Sequence, residues 1–191
     1  VLSYSTSGLK DSINPGIYIK NLKTNSSKQI HISHEKTKYF KLNLSNSGDK
    51  LAFVRDADST KTYQRPYELY LWESSQKNSK LILDTDSSPD GYKVSRYGDI
   101  KFSKNESKLY FGLGLPEIVQ DTLLLDEEIV NVEVWTYDEP RLYTVQEKQI
   151  ENDMKKSFQT VYHIKDDKLI QIATKEFPNA LLSNEGNGDY A

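Results

Sequence analysis

The chain has 191 residues, 36% of them hydrophobic and 28% charged, with a formal net charge of −3. That balance suits one globular domain or a piece of a larger one, and offers neither the basic stripe a nucleic-acid partner needs nor the acidity of a disordered tail. No cysteine is present, which excludes disulfides and thiolate metal sites but does not fix the compartment.

The chain opens on Val1-Leu-Ser-Tyr-Ser5, inside a strand-like run and without Met, and reads as a piece cut from something longer. No basic stretch and apolar core of a signal peptide follow, and no run of apolar residues is long enough to span a membrane. Thirteen tyrosines, six phenylalanines and two tryptophans stand against one methionine. Aromatic side chains fit a pleated surface, so strands are expected throughout.

The first strand–turn–strand element is Gly16-Ile-Tyr-Ile-Lys-Asn-Leu22 followed by Lys28-Gln-Ile30. His31, His34 and Glu35 come next. On a helix the two histidines could share a metal, but at the end of an outer strand their side chains diverge, so they are expected on the surface.

A complete unit follows, with strands at Lys41–Leu44, Leu51–Arg55, Glu68–Trp72 and Lys80–Asp84. The first two are joined by Ser45-Asn-Ser-Gly48-Asp49, residues that tolerate the tight or left-handed backbone of a hairpin turn. Leu69 and Leu71 alternate with Tyr70 and Trp72, so both faces of that strand are apolar and the sheet is expected to be buried on both sides. Asp84, Asp86 and Asp90 fail the calcium-loop spacing, since Pro89 stands where the loop needs Gly, and read as a turn.

The hairpin then repeats. Ile100-Lys-Phe-Ser103-Lys-Asn-Glu-Ser-Lys-Leu-Tyr-Phe111 aligns with Leu42–Phe53 at an offset of 58, pairing Ser103 with Ser45. Gly112-x-Gly114 reads as a strand bulge, and Gly186-x-Gly188 as a turn, because neither has the further Gly and helix of a nucleotide site. A long insertion carries Trp135, Tyr137 and Tyr143, with a short helix expected over Gln146–Phe158, where Ile150 and Met154 share a side. Packing between units is the plain reading of those aromatics; a contact surface for a partner domain is the functional one, since insertions tend to carry function. The strand–turn–strand element of Gly16–Ile30 returns as Thr160-Val-Tyr-His163-Ile and Lys168-Leu-Ile-Gln-Ile172, with His163 at a sheet edge, and a third hairpin begins at Ala180-Leu-Leu-Ser183. Asn25, Asn43 and Asn105 head glycosylation sequons, relevant only in a eukaryotic secretory pathway.

Small sheets covered on both faces and recurring every fifty or so residues point to blades stacked radially. The expectation is an all-β chain: a partial β-propeller of about three four-stranded antiparallel blades, with one short helix in an insertion. Its segments are 1–38 (three strands of a blade), 39–98 (a full blade), 99–178 (a blade with an insertion) and 179–191 (the start of the next). Ser45, Gly48, Asp49 and Ser103 are its structural turn residues. No Gly-x-Ser-x-Gly elbow occurs, so no catalytic, cofactor or metal residue is assigned.

Ser45-Asn-Ser-Gly-Asp-Lys-Leu-Ala-Phe53 resembles the Ser-Pro-Asp-Gly-x-x-Leu-Ala-Phe repeat of TolB-type propellers, with the central Pro-Asp replaced. Leu81–Asp86, Pro89–Ser95, Lys108–Gly112, Asp126–Asp138 and Leu142–Gln146 together look like the propeller of bacterial prolyl-oligopeptidase-like or dipeptidyl-peptidase-like serine peptidases, with Glu133 and Tyr137 departing from that family's strand motif. The resemblance covers most of the chain. It implies a non-catalytic segment that filters peptides on their way to an α/β-hydrolase domain of the same parent chain, in an exported or periplasmic bacterial protein. Other copies of the chain are the alternative cover for open blade faces. A stand-alone TolB-like module binding proteins is the second reading. A sugar- or lyase-type propeller enzyme is the third, and its central cluster of acids and histidine is missing from Lys41–Leu44 and Asp99–Phe102.

Overall fold

The computed structural model describes residues 1–6, 14–56, 60, 64–117 and 141–190. Strands dominate them, and every described strand pairing is antiparallel. β1 (Leu2–Thr6), β2 (Gly16–Lys20) and β3 (Ser27–Ile32) form the first sheet in chain order. β4 (Lys38–Leu44), β5 (Lys50–Asp56), β6 (Tyr67–Glu73) and β7 (Lys80–Leu83) form the second, also in chain order. These four match the strands expected from sequence to within three residues at either end.

The third sheet contains β8 (Lys93–Val94), β9 (Lys101–Phe102), β10 (Lys108–Gly114), β11 (Phe158–His163) and β12 (Lys168–Gln171). The sheets therefore have three, four and five strands, and the third has one more than a four-stranded blade. β10 pairs with β11 along one edge, while β9 (Leu109↔Phe102) and β8 (Leu113↔Val94) both pair with β10. They share the edge that β11 leaves open, so the fifth strand arises because 95–100 interrupts one lane. Lys93–Val94, within the 39–98 segment read from sequence, thus pairs into the following sheet.

The second sheet has a milder version of this break. The β4–β5 register shifts between Phe40 and Asn43, where Lys41 takes φ 55°. A bulge of this kind adds a residue and turns the strand. Lys41 also bonds Asp99, its counterpart in the next repeat, at 2.9 Å.

Both faces of the second sheet are covered. Leu51, Phe53, Tyr70 and Trp72 pack with Ile17 and Ile30 of the first sheet. Ala52, Val54, Leu69 and Leu71, on the opposite face, pack with Leu109, Phe111, Leu113 and Tyr162 of the third. Alternation along β5 and β6 thus sends successive side chains into two different cores. The repeat keeps its sense: the Leu-x-Phe pair and the central Tyr of each unit face the sheet before it. In the first sheet the corresponding Tyr18 stacks on Tyr4 at 5.6 Å.

α1 (Tyr143–Met154) starts three residues earlier and ends four earlier than expected. Phe158, placed in the helix by the sequence reading, instead opens β11 and is buried. Ile150 and Met154 are exposed. The third hairpin, at 180–190, keeps its turn as a 3-10 turn at Asn184–Gly186 but has no flanking strand among the described residues.

Candidate functional site

The repeated turns lie side by side. Ser45 N–H donates to the Lys50 carbonyl, and the Ser45 hydroxyl accepts from Lys50 N–H at 3.1 Å. Ser103 does the same with Lys108, at 2.9 and 3.0 Å, and is fully buried. Gly48 supplies φ 81° in the first turn. Asp49 hands its carbonyl to Ser74 N–H at 2.7 Å. The Glu106 carboxylate accepts from Ser47 N–H at 2.6 Å and from the Ser47 hydroxyl at 2.7 Å, joining the second turn to the first. Burial works against its ionisation, but the Ser47 bonds hold the carboxyl below its usual range. The third turn joins the second through Lys104 N–H to the Glu185 carbonyl and Asn105 N–H to Asn187 Oδ1. Lys108 Nζ also reaches the Gly188 carbonyl at 2.7 Å and Asp189 at 3.1 Å.

The most chemically loaded cluster lies between the first two sheets, at a residue the sequence reading placed on the surface. His31 is 7% exposed. The correction follows from a bulge between Ile17 and Tyr18, which shifts the β2–β3 register so that both Ile30 and His31 turn inward. The ring lies edge-on to Tyr39, Phe53 and Tyr70. Its Nδ1 is 2.8 Å from Ser79 Oγ and its Nε2 is 3.3 Å from Arg55 Nη1. Arg55 also grips Glu68 at 2.5 Å and lies over the Tyr70 ring. Burial first, and the Arg55 charge second, push the His31 pKa down to about 4.

A serine beside a histidine invites a nucleophile–base reading, and the third partner decides against it. Arg55 has only donors, so it needs Nε2 as an acceptor, which places the ring proton on Nδ1. His31 then donates to Ser79 instead of taking its proton. A catalytic base would need a carboxylate behind the ring to stabilise the imidazolium, and a guanidinium opposes it.

A cleft of ≈ 270 Å³ opens between the second and third sheets, lined by residues including Glu73, Lys80, Tyr162, Lys165 and Asp167. Three of these groups are engaged with one another: Tyr162 donates to Asp167, and Lys80 Nζ bonds Asp167 at 2.9 Å. Lys28 bridges the first two sheets in the same way, reaching the Gln76 carbonyl at 3.1 Å. The cleft is therefore the open end of a repeated joint.

The remaining sequence candidates are dispersed. Trp135 and Tyr137 lie outside the described residues, and Tyr143 opens α1. His34 is exposed just past β3, and His163 is half-buried, paired with Lys108. Asp84 makes a turn with Ser87, whose bonds lower its pKa. Gly112, read from sequence as part of a bulge, runs in continuous register with β11 instead. Its role is close approach: a Cβ there would meet Gly98 Cα at 2.7 Å. Among the described residues, no three His, Asp or Glu side chains gather in a way that could hold a metal ion. Sequence reasoning missed Arg55, Glu68 and Ser79, which are brought to His31 only by sheet packing; the Glu106–Gly48 correspondence was visible in the repeat alignment.

No protein-family model matches the chain, and no curated protein matches it in sequence.

Proposed function

We propose that the chain is a non-catalytic segment of a β-propeller in a prolyl-oligopeptidase-like serine peptidase, with its sheets as consecutive blades that screen short peptides on their way to a hydrolase domain. The observation that carries the propeller part is the constant sense of stacking. Tyr70 and Leu51-x-Phe53 face the first sheet, and Tyr162 and Leu109-x-Phe111 face the second, so each unit uses the same face toward its predecessor. Sheets added in one sense by one repeated contact, with their turns joined side by side, are what a radial array of blades requires.

The peptidase part rests on the sequence resemblance. On this reading the insertion bearing Trp135, Tyr137 and Tyr143 is the contact with the hydrolase domain. The exposed Leu142, Ile150 and Met154 beside it are apolar surface such a contact would cover. The test is activity of the purified chain. Short proline-containing chromogenic peptides are expected to stay intact, and a serine-reactive fluorophosphonate is expected to leave the chain unlabelled. Turnover that survives repurification would overturn the assignment.

A further inference from the structure

We propose that His31 makes the docking of the first sheet onto the second sensitive to acid, so that β1–β3 detach from the stack before the second and third sheets separate.

The two joints between sheets differ in the titratable group each buries. The joint between the second and third sheets buries aliphatic and aromatic side chains and, at the end of β5, the Asp56 carboxylate, which Arg65 pairs at 2.7 Å. The joint between the first and second holds Ile17, Ile30, Leu51, Phe53, Tyr70 and Trp72, with the His31 ring set among Tyr39, Phe53 and Tyr70. His31 therefore puts an imidazole faced by a cation inside the first joint, whereas the buried acid at the second, Asp56, is already paired with Arg65.

The groups facing the ring decide what protonation does. From β5 comes the Arg55 guanidinium, at 3.3 Å from Nε2. From β6 come the Tyr70 ring and, on the far side of Arg55, the Glu68 carboxylate at 2.5 Å from the guanidinium. From β4 comes the Tyr39 ring, and from the residue before β7 the Ser79 hydroxyl. Burial raises the pKa of both tyrosines. Glu68, the one carboxylate in the cluster, is taken by Arg55. A proton on Nε2 would point a donor at a donor and a cation at a cation in a dry site. The ring is relieved by leaving, and Ser79, whose N–H donates to the Ile30 carbonyl at 2.8 Å, is the adjacent tie to the first sheet.

The test is amide hydrogen exchange, corrected for the intrinsic pH dependence of exchange, at pH 7, 5.5 and 4, on the chain and on His31→Gln. Gln keeps an acceptor for Arg55 and a donor for Ser79 but does not titrate. In the unaltered chain, protection of β1–β3 should fall on the order of a hundredfold relative to β10–β11 between pH 7 and 4. In His31→Gln that difference should be flat with pH. Equal loss in β1–β3 and β10–β11, or a variant that follows the parent, overturns the proposal. So does an NMR titration of the unaltered chain in which His31 titrates near the ordinary 6.5, whether or not the variant folds.

Discussion

Glu106 stands in the second turn where Gly48 stands in the first: their φ angles are 57° and 81°, and each N–H reaches the carbonyl of the serine three residues earlier at 2.9 Å. The left-handed backbone that Gly adopts freely is held here by a residue with a Cβ, at a cost of roughly 1 kcal/mol. The carboxylate offsets that strain by binding Ser47 of the preceding turn. Glu106→Ala keeps the strain and loses the bonds, so it should destabilise the chain by about 2 kcal/mol in urea unfolding. Glu106→Gly loses the same bonds but relieves the backbone, and should recover about 1 kcal/mol of that loss. Equal loss in the two variants would mean that the turn is not held in this conformation.

Gly112 and Gly98 touch through their backbones. A Cβ on Gly112 would meet Gly98 Cα at 2.7 Å and Ser157 Cβ at 2.9 Å, contacts that no side-chain rotation can relieve. Gly112→Ala should therefore destabilise by about 3 kcal/mol, or displace the 95–100 crossing altogether. Gly91→Ala is the control: φ is 75° but nothing lies within 4 Å, so only the backbone term of about 1 kcal/mol is expected. Thermal unfolding of the two variants separates the effects.

Phe53 is fully buried in the first joint and stacks on Tyr70 at 5.4 Å. Phe53→Ala should cost about 3–5 kcal/mol. Leu181→Ala, at a residue 89% exposed, should stay within about 0.5 kcal/mol of the parent.

Removing the Arg55 charge should raise the His31 pKa from about 4, but only part of the way to 6.5, because burial is the larger cause of the depression. An NMR titration of Arg55→Met reads this directly. In the parent, the fold favours neutral His31. Its contribution to stability is full above pH 6.5 and is lost as pH falls through about 4. The variant should lose less stability across that window.

The repeat explains how much was legible beforehand. Ser45 and Ser103 could be matched because the turn uses side chains on its own backbone, and such local bonds leave a local pattern. β5 and β6 were legible because two-faced burial removes the polar alternation of an ordinary strand. His31 was misplaced because its burial depends on a bulge at Ile17/Tyr18 and on partners 24 to 48 residues away. The five-stranded sheet was hidden for a related reason: 95–100 breaks a lane through the contact of Gly98 with Gly112, which no periodicity records. The helix boundary moved because Phe158 has a place in the third sheet, and tertiary burial outweighs helical pattern.

Membership in a larger serine peptidase is read on the native protein, detected with an antibody to this chain and exposed to a serine-reactive fluorophosphonate. A labelled band several times the chain's 22.0 kDa is the predicted result, a peptidase whose propeller includes these sheets. An unlabelled band of single-domain size would contradict it and leave a stand-alone binding module.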